Sequence, residues 1–163
     1  MELKTKLDSR IIFVVLYFVL FILYSVLAFR VAGASEYMVS NHLVVPSINL
    51  VSDVTTLSLE NNKLNTPDSI VGSYSSVDSK TLLIGHSSTV FSDLYKVKVN
   101  DSIIYDNQKY TVLSITTNEL ESINMAKILE STPRDTIIIM TCAGEEFDDG
   151  TFSHRLILTA VRN

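Results

Sequence analysis

An uncharged apolar run near the N-terminus divides this chain into two parts. Residues 11–29, IIFVVLYFVLFILYSVLAF, contain no charged side chain. As a helix that rises about 1.5 Å per residue, the run would be about 28 Å long, close to the roughly 30 Å hydrocarbon thickness of a bilayer. The run therefore predicts a single transmembrane helix, with residues 1–10 as a tail, 30–39 as a linker and 40–163 as one folded domain.

Positive charges beside the run predict its orientation. Lys4, Lys6 and Arg10 precede it, whereas only Arg30 follows closely. Because cytoplasmic flanks carry the excess of Lys and Arg, we expect a single-pass protein of the cell membrane, with a cytoplasmic N-terminus and an extracytoplasmic domain. A cleaved signal peptide is the alternative, since VAGAS follows the run and offers an A-x-A site. The run is, however, longer than the usual signal core of about 7–15 residues.

Charge and cysteine count exclude two further classes of protein. The formal net charge is −5 and no Lys/Arg cluster lies outside the membrane flank, so we expect no nucleic-acid partner. Extracytoplasmic domains that need disulfides carry an even number of cysteines, whereas this chain has only Cys142. Cys142 therefore cannot form an internal disulfide.

Short β-branched and aromatic segments dominate residues 40–163, which predicts a mostly β domain, a closed barrel or a sandwich. Pro46 restricts the first strand to an edge or a bend, and Asp106 to Gln108 fit a hairpin connection. The stretch 61–80, rich in Asn, Ser and Gly, predicts turns and one short helix. The best helical candidate is 124–131, and the predicted strands are 42–50, 54–60, 80–87, 101–106, 109–117, 135–142 and 153–161. In a barrel, the run TIIIM (136–140) would pack inward on one face and under a loop or helix on the other.

Cys142 lies at the end of a predicted strand, before an acidic loop, where a packing cysteine is not expected. A reactive thiol needs a neighbouring base or cation and a proton-transfer partner. His86 also ends an apolar strand, so both side chains are expected at the rim of a sheet. Arg155 opens the last strand, and a hairpin could place it opposite Cys142; strand alternation would then turn His154 to the other face. We interpret His42 and His154 as structural.

Three segments, in this order along the chain, resemble those of sortases, the membrane-anchored cysteine transpeptidases of bacterial surfaces. TLLIGHS is similar to their histidine strand. IIIMTC is similar to their T-L-x-T-C signature, with Ile in place of the first Thr and of the Leu, and SHRLILTAV is similar to their arginine strand. The resemblance implies a closed eight-stranded β-barrel with one or two short helices. It also implies that Cys142 is the nucleophile, His86 the acid/base, and Arg155 the group that stabilises the oxyanion or the substrate carbonyl.

The resemblance further implies the reaction and the partners. An LPXTG-like C-terminal sorting signal of a surface protein would be cleaved through a thioacyl enzyme and joined to an amine acceptor, with no cofactor. The chain has no Asp-Pro-aromatic lid motif, and we expect no second membrane span after residue 163. These features favour a peptidoglycan precursor over a pilin lysine as acceptor, and a class D-like subclass. The alternatives are a membrane-tethered, non-catalytic binding module and a cysteine peptidase that only hydrolyses.

Four acidic residues follow Cys142 and raise the question of a calcium site, because hard cations bind carboxylate oxygens. They are Glu145, Glu146, Asp148 and Asp149, and their spacing relative to Gly150 does not fit an EF-hand loop. Zinc needs three or four ligands, which the single cysteine and scattered histidines do not offer. We therefore expect no metal, and a loop that is either solvated or in contact with a basic substrate tail.

Overall fold

The computed structural model describes residues 42–60, 63–77 and 79–163, together with Tyr17 and Phe21, which are helical. The predicted tail and linker, and all but these two residues of the predicted transmembrane helix, lie outside the described residues. In the described part, no helical segment combines the length and the apolar character that a membrane crossing requires. The chain divides into two compact units, residues 1–38 and 39–163.

Ten strands and one short α-helix form the described part of the second unit. The strands are β1 (His42–Val45), β2 (Leu50–Thr56), β3 (Leu59–Glu60), β4 (Lys63–Leu64), β5 (Val71–Val77), β6 (Lys80–Ile84), β7 (Ser102–Tyr105), β8 (Gln108–Glu119), β9 (Thr136–Glu146) and β10 (Phe152–Arg162). The helix is α1 (Met125–Ile128), and the 3₁₀ turns are Pro46–Ile48, Leu94–Lys96 and Leu120–Ser122.

Eight strands close into a barrel in the order β1-β2-β5-β6-β9-β10-β8-β7. The pairs β2–β5 and β6–β9 are parallel, and the other neighbouring pairs are antiparallel. β3 and β4 form a separate two-stranded sheet. The prediction of a mostly β fold, a closed eight-stranded barrel with few helices, is confirmed.

Alternate side chains of β9 pack into two different apolar clusters. Ile137 and Ile139 belong to the main core, which draws on strands all around the barrel. Ile138 belongs to a second cluster, which we call the outer cluster because its members alternate with the core residues along the same strands. Its other buried members are Leu82, Ile84 and Ile157, and the partly buried residues packed against it include Ile123, Met125, Ile128, Leu129 and Met140. The prediction for TIIIM was barrel interior on one face and a loop or helix on the other; it is confirmed, with the α1 segment on the outer face.

Local turn chemistry explains two of the strand connections. Asp106 and Asn107 both have positive φ, 47° and 59°, as a two-residue type I′ hairpin requires, and they join β7 to β8. Pro46 begins the 3₁₀ turn that joins β1 to β2, so the predicted first strand bends there. At α1, the Asn124 side chain accepts a hydrogen bond from the Lys127 N–H at 3.1 Å, which caps the helix start.

The prediction of turns and a short helix over residues 61–80 is wrong, because β4 and the full barrel strand β5 lie there. Gly72 packs closely against Leu57, and a Cβ on it would lie 2.5 Å from Leu57 Cδ1. The Ser73 hydroxyl donates to the Thr55 carbonyl at 3.3 Å, across the parallel β2–β5 pair. The small and polar residues of this segment thus serve a close approach of strands. The predicted strand 54–60 is also interrupted, since β2 ends at Thr56 and β3 begins at Leu59.

Candidate active site

His86 and Cys142 lie at the same edge of the barrel because β6 and β9 are parallel neighbours. Their register pairs Ile84 with Met140, and the chain beyond these two residues leads to His86 and to Cys142. Between the last ladder pair and these residues, the Thr141 hydroxyl donates a buried hydrogen bond of 2.7 Å to the Gly85 carbonyl. This bond joins the two backbones immediately before His86 and Cys142.

Arg155 lies directly opposite Cys142 in the antiparallel β9–β10 pair, and His154 lies opposite Ala143. The hairpin inferred from the sequence therefore has the expected register at this point. The loop is shorter than the sequence indicated, however. β9 does not end at Cys142 but continues to Glu146, and β10 begins at Phe152.

Cys142 and Arg155 are on the outer wall of the barrel. Each lies two positions along its strand from a residue of the outer cluster, Met140 and Ile157 respectively, and side chains two apart in a strand share a face. His86 lies in the segment that follows β6, two residues beyond Ile84. Thr141 alternates to the inner side, where it is 4% exposed. The Cys142 and Arg155 side chains thus continue an apolar surface on the outside of the barrel.

All three residues line one cleft with a volume of about 330 Å³. Cys142, His86 and Arg155 are each half-buried, so a substrate can reach them. The rest of the lining is mostly apolar and comes from β3 and β4, from β5, from the outer wall and from the α1 segment. These lining residues are Leu59, Leu64, Thr66, Tyr74, Ile84, Gly85, Met125, Leu129, Met140 and Thr141.

Arg155 is held by backbone carbonyls, not by acidic side chains. Its Nη1 donates to the carbonyl of Phe152 at 3.1 Å and to that of His154 at 2.9 Å. Within the described ranges, its guanidinium forms no ion pair with a carboxylate. A cation that is not neutralised by a neighbouring acid can stabilise an anion that forms beside it.

The backbone at His86 is fixed by a turn. Its carbonyl accepts hydrogen bonds from the Phe91 N–H at 3.0 Å and from the Thr89 N–H at 3.3 Å. Its imidazole has no hydrogen-bond partner among the residues that the structure describes. The ring is therefore available for proton transfer with a bound substrate.

The two other histidines lie outside this arrangement. His42 Nε2 is 2.8 Å from an Asp53 carboxylate oxygen, across the β1–β2 pair, and His42 lines a separate groove of about 560 Å³. His154 Nδ1 hydrogen-bonds the Ser153 hydroxyl at 2.8 Å. Neither lines the cleft that contains Cys142.

The acidic segment after Cys142 is partly strand and partly turn. Glu145 and Glu146 belong to β9, whereas Asp149 organises the turn that follows. Its carboxylate accepts hydrogen bonds from the Thr151 hydroxyl and the Thr151 N–H, which lower the pKa of Asp149. Among the described residues, no group of three or more His, Cys, Asp or Glu side chains could hold a metal ion.

Sequence reasoning did not identify the apolar residues of the cleft. Leu59 and Leu64 lie on the short β3–β4 pair, and Tyr74 lies on the strand that the sequence did not predict. The pair Met125 and Leu129 could have been found, because residues four apart share one face of a helix. The others depend on tertiary contacts that no local pattern records.

Comparisons with known proteins identify the family of the domain. A family model described as "Sortase domain" matches residues 43–163. Sortase C-1 from Actinomyces oris is 26% identical, covers 75% of this chain and 70% of its own, and superposes with a TM-score of 0.58. No curated protein sequence matches the chain at a significant level.

Two further solved structures share the fold at lower identity. A lid mutant of sortase A from Corynebacterium diphtheriae is 24% identical over 80% of this chain and 73% of its own, with a TM-score of 0.57. Sortase C1 from Streptococcus suis is 22% identical over 76% of this chain and 72% of its own, with a TM-score of 0.58. At these identities, the likeness supports the architecture of the barrel.

Proposed function

Because the chain belongs to the sortase family, whose members are cysteine transpeptidases, we propose that Cys142, His86 and Arg155 carry out acyl transfer in the cleft on the outer wall. The observation that carries the proposal is their convergence. Three side chains, from β9, from β10 and from the segment that follows β6, line one cleft of about 330 Å³. The Thr141–Gly85 hydrogen bond joins β9 to the segment that follows β6, and the β9–β10 register pairs Arg155 with Cys142.

In the first half of the proposed reaction, the Cys142 thiolate attacks the scissile carbonyl of the substrate. A C–S bond forms and the carbonyl oxygen becomes an oxyanion beside the Arg155 guanidinium, which stabilises it. The His86 imidazolium then protonates the departing amine nitrogen as the C–N bond breaks. The products are a thioacyl enzyme on Cys142 and a free amine.

In the second half, His86 acts as a neutral base. It takes a proton from the acceptor amine, which attacks the thioacyl carbon and passes through a second oxyanion beside Arg155. The C–S bond then breaks, and the Cys142 thiolate is restored. Water in place of the amine would give hydrolysis, so access of the amine to this carbon decides between transfer and cleavage.

The proposed substrate is an LPXTG-like C-terminal sorting signal of a surface protein, cut between Thr and Gly. An extended peptide with apolar side chains suits the cleft, because Leu59, Leu64, Met125 and Leu129 contribute to its lining. We propose a peptidoglycan precursor as the acceptor, with a pilin lysine as the alternative. We further propose that residues 11–29 anchor the enzyme, with the barrel on the extracytoplasmic side of the cell membrane.

A peptide assay on the full chain, kept in solution with a mild detergent, tests this function. The chain is incubated with a quenched LPXTG-type peptide and triglycine, and the products are identified by mass spectrometry. We expect ligated product with the wild type, and none with Cys142→Ala or His86→Ala. His42→Ala is the matched control, since His42 is a histidine outside the cleft, and it should retain activity.

The products also separate the alternatives. Cleaved peptide without ligated product, at saturating triglycine, would indicate a cysteine peptidase. No product across a library of signals, together with a Cys142 that iodoacetamide labels only after unfolding, would indicate a non-catalytic binding module.

A further inference from the structure

The β9–β10 pair contains a bulge immediately beyond Cys142 and Arg155. His154 pairs with Ala143, but the next pair is Phe152 with Glu146. One residue, Ser153, thus lies between the paired positions on β10, whereas Gly144 and Glu145 lie between them on β9. An extra residue in one strand bends it and turns its neighbours, and such bulges are frequent beside active sites.

Gly144 makes this bulge possible. Its φ of +80° belongs to the left-handed region, which glycine adopts without steric cost. A Cβ at this position would collide with the Ser153 hydroxyl and would lie 2.6 Å from His154 Nδ1. Only glycine therefore fits both the backbone conformation and the space.

The Ser153 hydroxyl ties the two strands together across the bulge. It accepts a hydrogen bond of 2.9 Å from the Glu145 N–H, which belongs to the bulged segment. It also hydrogen-bonds His154 Nδ1 at 2.8 Å. The hydroxyl therefore fixes both sides of the bulge at a point where the regular strand pairing is interrupted.

The bulge in turn holds Arg155. The two carbonyls that accept from Arg155 Nη1 belong to Phe152 and His154, the residues on either side of Ser153. Among the residues that the structure describes, Nε and Nη2 of Arg155 have no partner. The guanidinium is thus fixed at one nitrogen by the bulge, and the rest of its planar fork remains available in the cleft.

We propose that Gly144 and Ser153 are positioning residues for Arg155, since the bulge that they form aims the two carbonyls that hold its guanidinium. The inference rests on the proposed function, in which Arg155 stabilises the oxyanion. It predicts that loosening the bulge slows acyl transfer without affecting the Cys142 thiol. Misplacing a stabilising group by about 1 Å can cost about a hundredfold in rate.

The test compares Ser153→Ala and Gly144→Ala with Ser114→Ala in the full chain. Ser114 is an exposed strand serine on β8 and serves as the matched control. The first measurement is ¹⁵N relaxation of the Arg155 Nε–H signal, assigned by its loss in Arg155→Lys. The second is kcat and KM for peptide ligation, and the third is the rate of Cys142 alkylation by iodoacetamide, a displacement that forms no oxyanion.

For Ser153→Ala we expect a more mobile Arg155 Nε–H, a kcat about tenfold lower, a KM within about twofold and an unchanged alkylation rate. Gly144→Ala should have a larger effect, and Ser114→Ala none. The milder Ser153→Ala variant keeps the test valid if Gly144→Ala does not fold.

Two results would overturn the inference. The first is that, in Ser153→Ala, the Arg155 Nε–H signal is no more mobile than in the wild type and kcat is unchanged. The second is that the rate of Cys142 alkylation falls in parallel with kcat, which would show a general disturbance of the site. If the wild type transfers no acyl group, yet Ser153→Ala still loosens Arg155, the proposed function fails while the coupling of the bulge to Arg155 stands.

Discussion

Replacing Thr141 with Val tests whether the hydrogen bond between β9 and β6 supports the cleft. The Thr141 hydroxyl donates to the Gly85 carbonyl at 2.7 Å, and Thr141 is 4% exposed. Valine has nearly the same shape, so the substitution removes the bond without opening a cavity. The Gly85 carbonyl then loses its buried hydrogen-bond donor next to His86. The side chain at position 141 no longer links the backbones that carry His86 and Cys142.

The expected magnitude follows from the burial of the bond. A typical hydrogen bond contributes about 1 kcal/mol net, and a buried polar group left without its partner costs about 1–3 kcal/mol. We therefore expect Thr141→Val to lower the free energy of unfolding by about 1–3 kcal/mol. For a chain of this length, that corresponds to a fall in Tm of about 3–9 °C.

The assay is urea unfolding of the full chain, followed by far-ultraviolet circular dichroism because the chain has no tryptophan. Thr116→Val is the matched control: Thr116 is an exposed strand threonine, and its substitution should change stability by less than about 0.5 kcal/mol. Equal stability losses in the two variants would refute the reasoning. So would a stability loss at Thr141 that leaves peptide ligation unchanged, because the bond would then not position His86 and Cys142 for the proposed reaction.

Three further substitutions test other parts of the barrel. Gly85→Ala should destabilise the fold by about 1–3 kcal/mol and slow ligation. The reason is that a Cβ would lie 2.5 Å from Val90 Cγ1 and would displace the turn after His86. Urea unfolding measures the first effect and the peptide assay the second. Leu82→Ala should cost about 3 kcal/mol, measured by urea unfolding, because this fully buried side chain fills the outer cluster. Burial, together with the Asp135 carboxylate, raises the pKa of Tyr110 to about 12, so its contribution to stability is complete below pH 10 and disappears as the pH rises toward 12. Tyr110→Phe should therefore weaken the loss of stability between pH 10 and 12 by about 2 kcal/mol, and an equally steep loss in the variant would contradict this.

The strands that carry the chemistry could be predicted from sequence because their patterns are local. TLLIGH and TIIIMTC are apolar, β-branched and bounded by polar residues, which is typical of buried strands. The spacing of Cys142 and Arg155 was compatible with a hairpin, and the register indeed pairs them. The run TIIIM is apolar at successive positions, which was sufficient to predict that it packs on both of its faces.

Other elements could not be predicted, because their causes are not local. The sequence of β5 is typical of turns because Gly72 and Ser73 are small. The structure explains their size by contacts with distant residues: Gly72 packs against Leu57, and the Ser73 hydroxyl donates to the Thr55 carbonyl on β2. The continuation of β9 beyond Cys142 was missed for a related reason. Gly144 looked like part of a loop, whereas it marks a bulge within a pair of strands.

The alternation of β9 also answers why the only cysteine is placed where it is. Thr141 and Cys142 are adjacent, so they must face opposite sides of the sheet. The inward residue supplies a buried hydrogen bond that fixes the backbone, and the outward residue is presented to the cleft. A shift of one position would bury the thiol in the barrel and expose the threonine. Placed as they are, two neighbouring residues of one strand provide the buried hydrogen bond and the thiol that lines the cleft, and Met140, Met125 and Leu129 of the outer cluster line the same cleft.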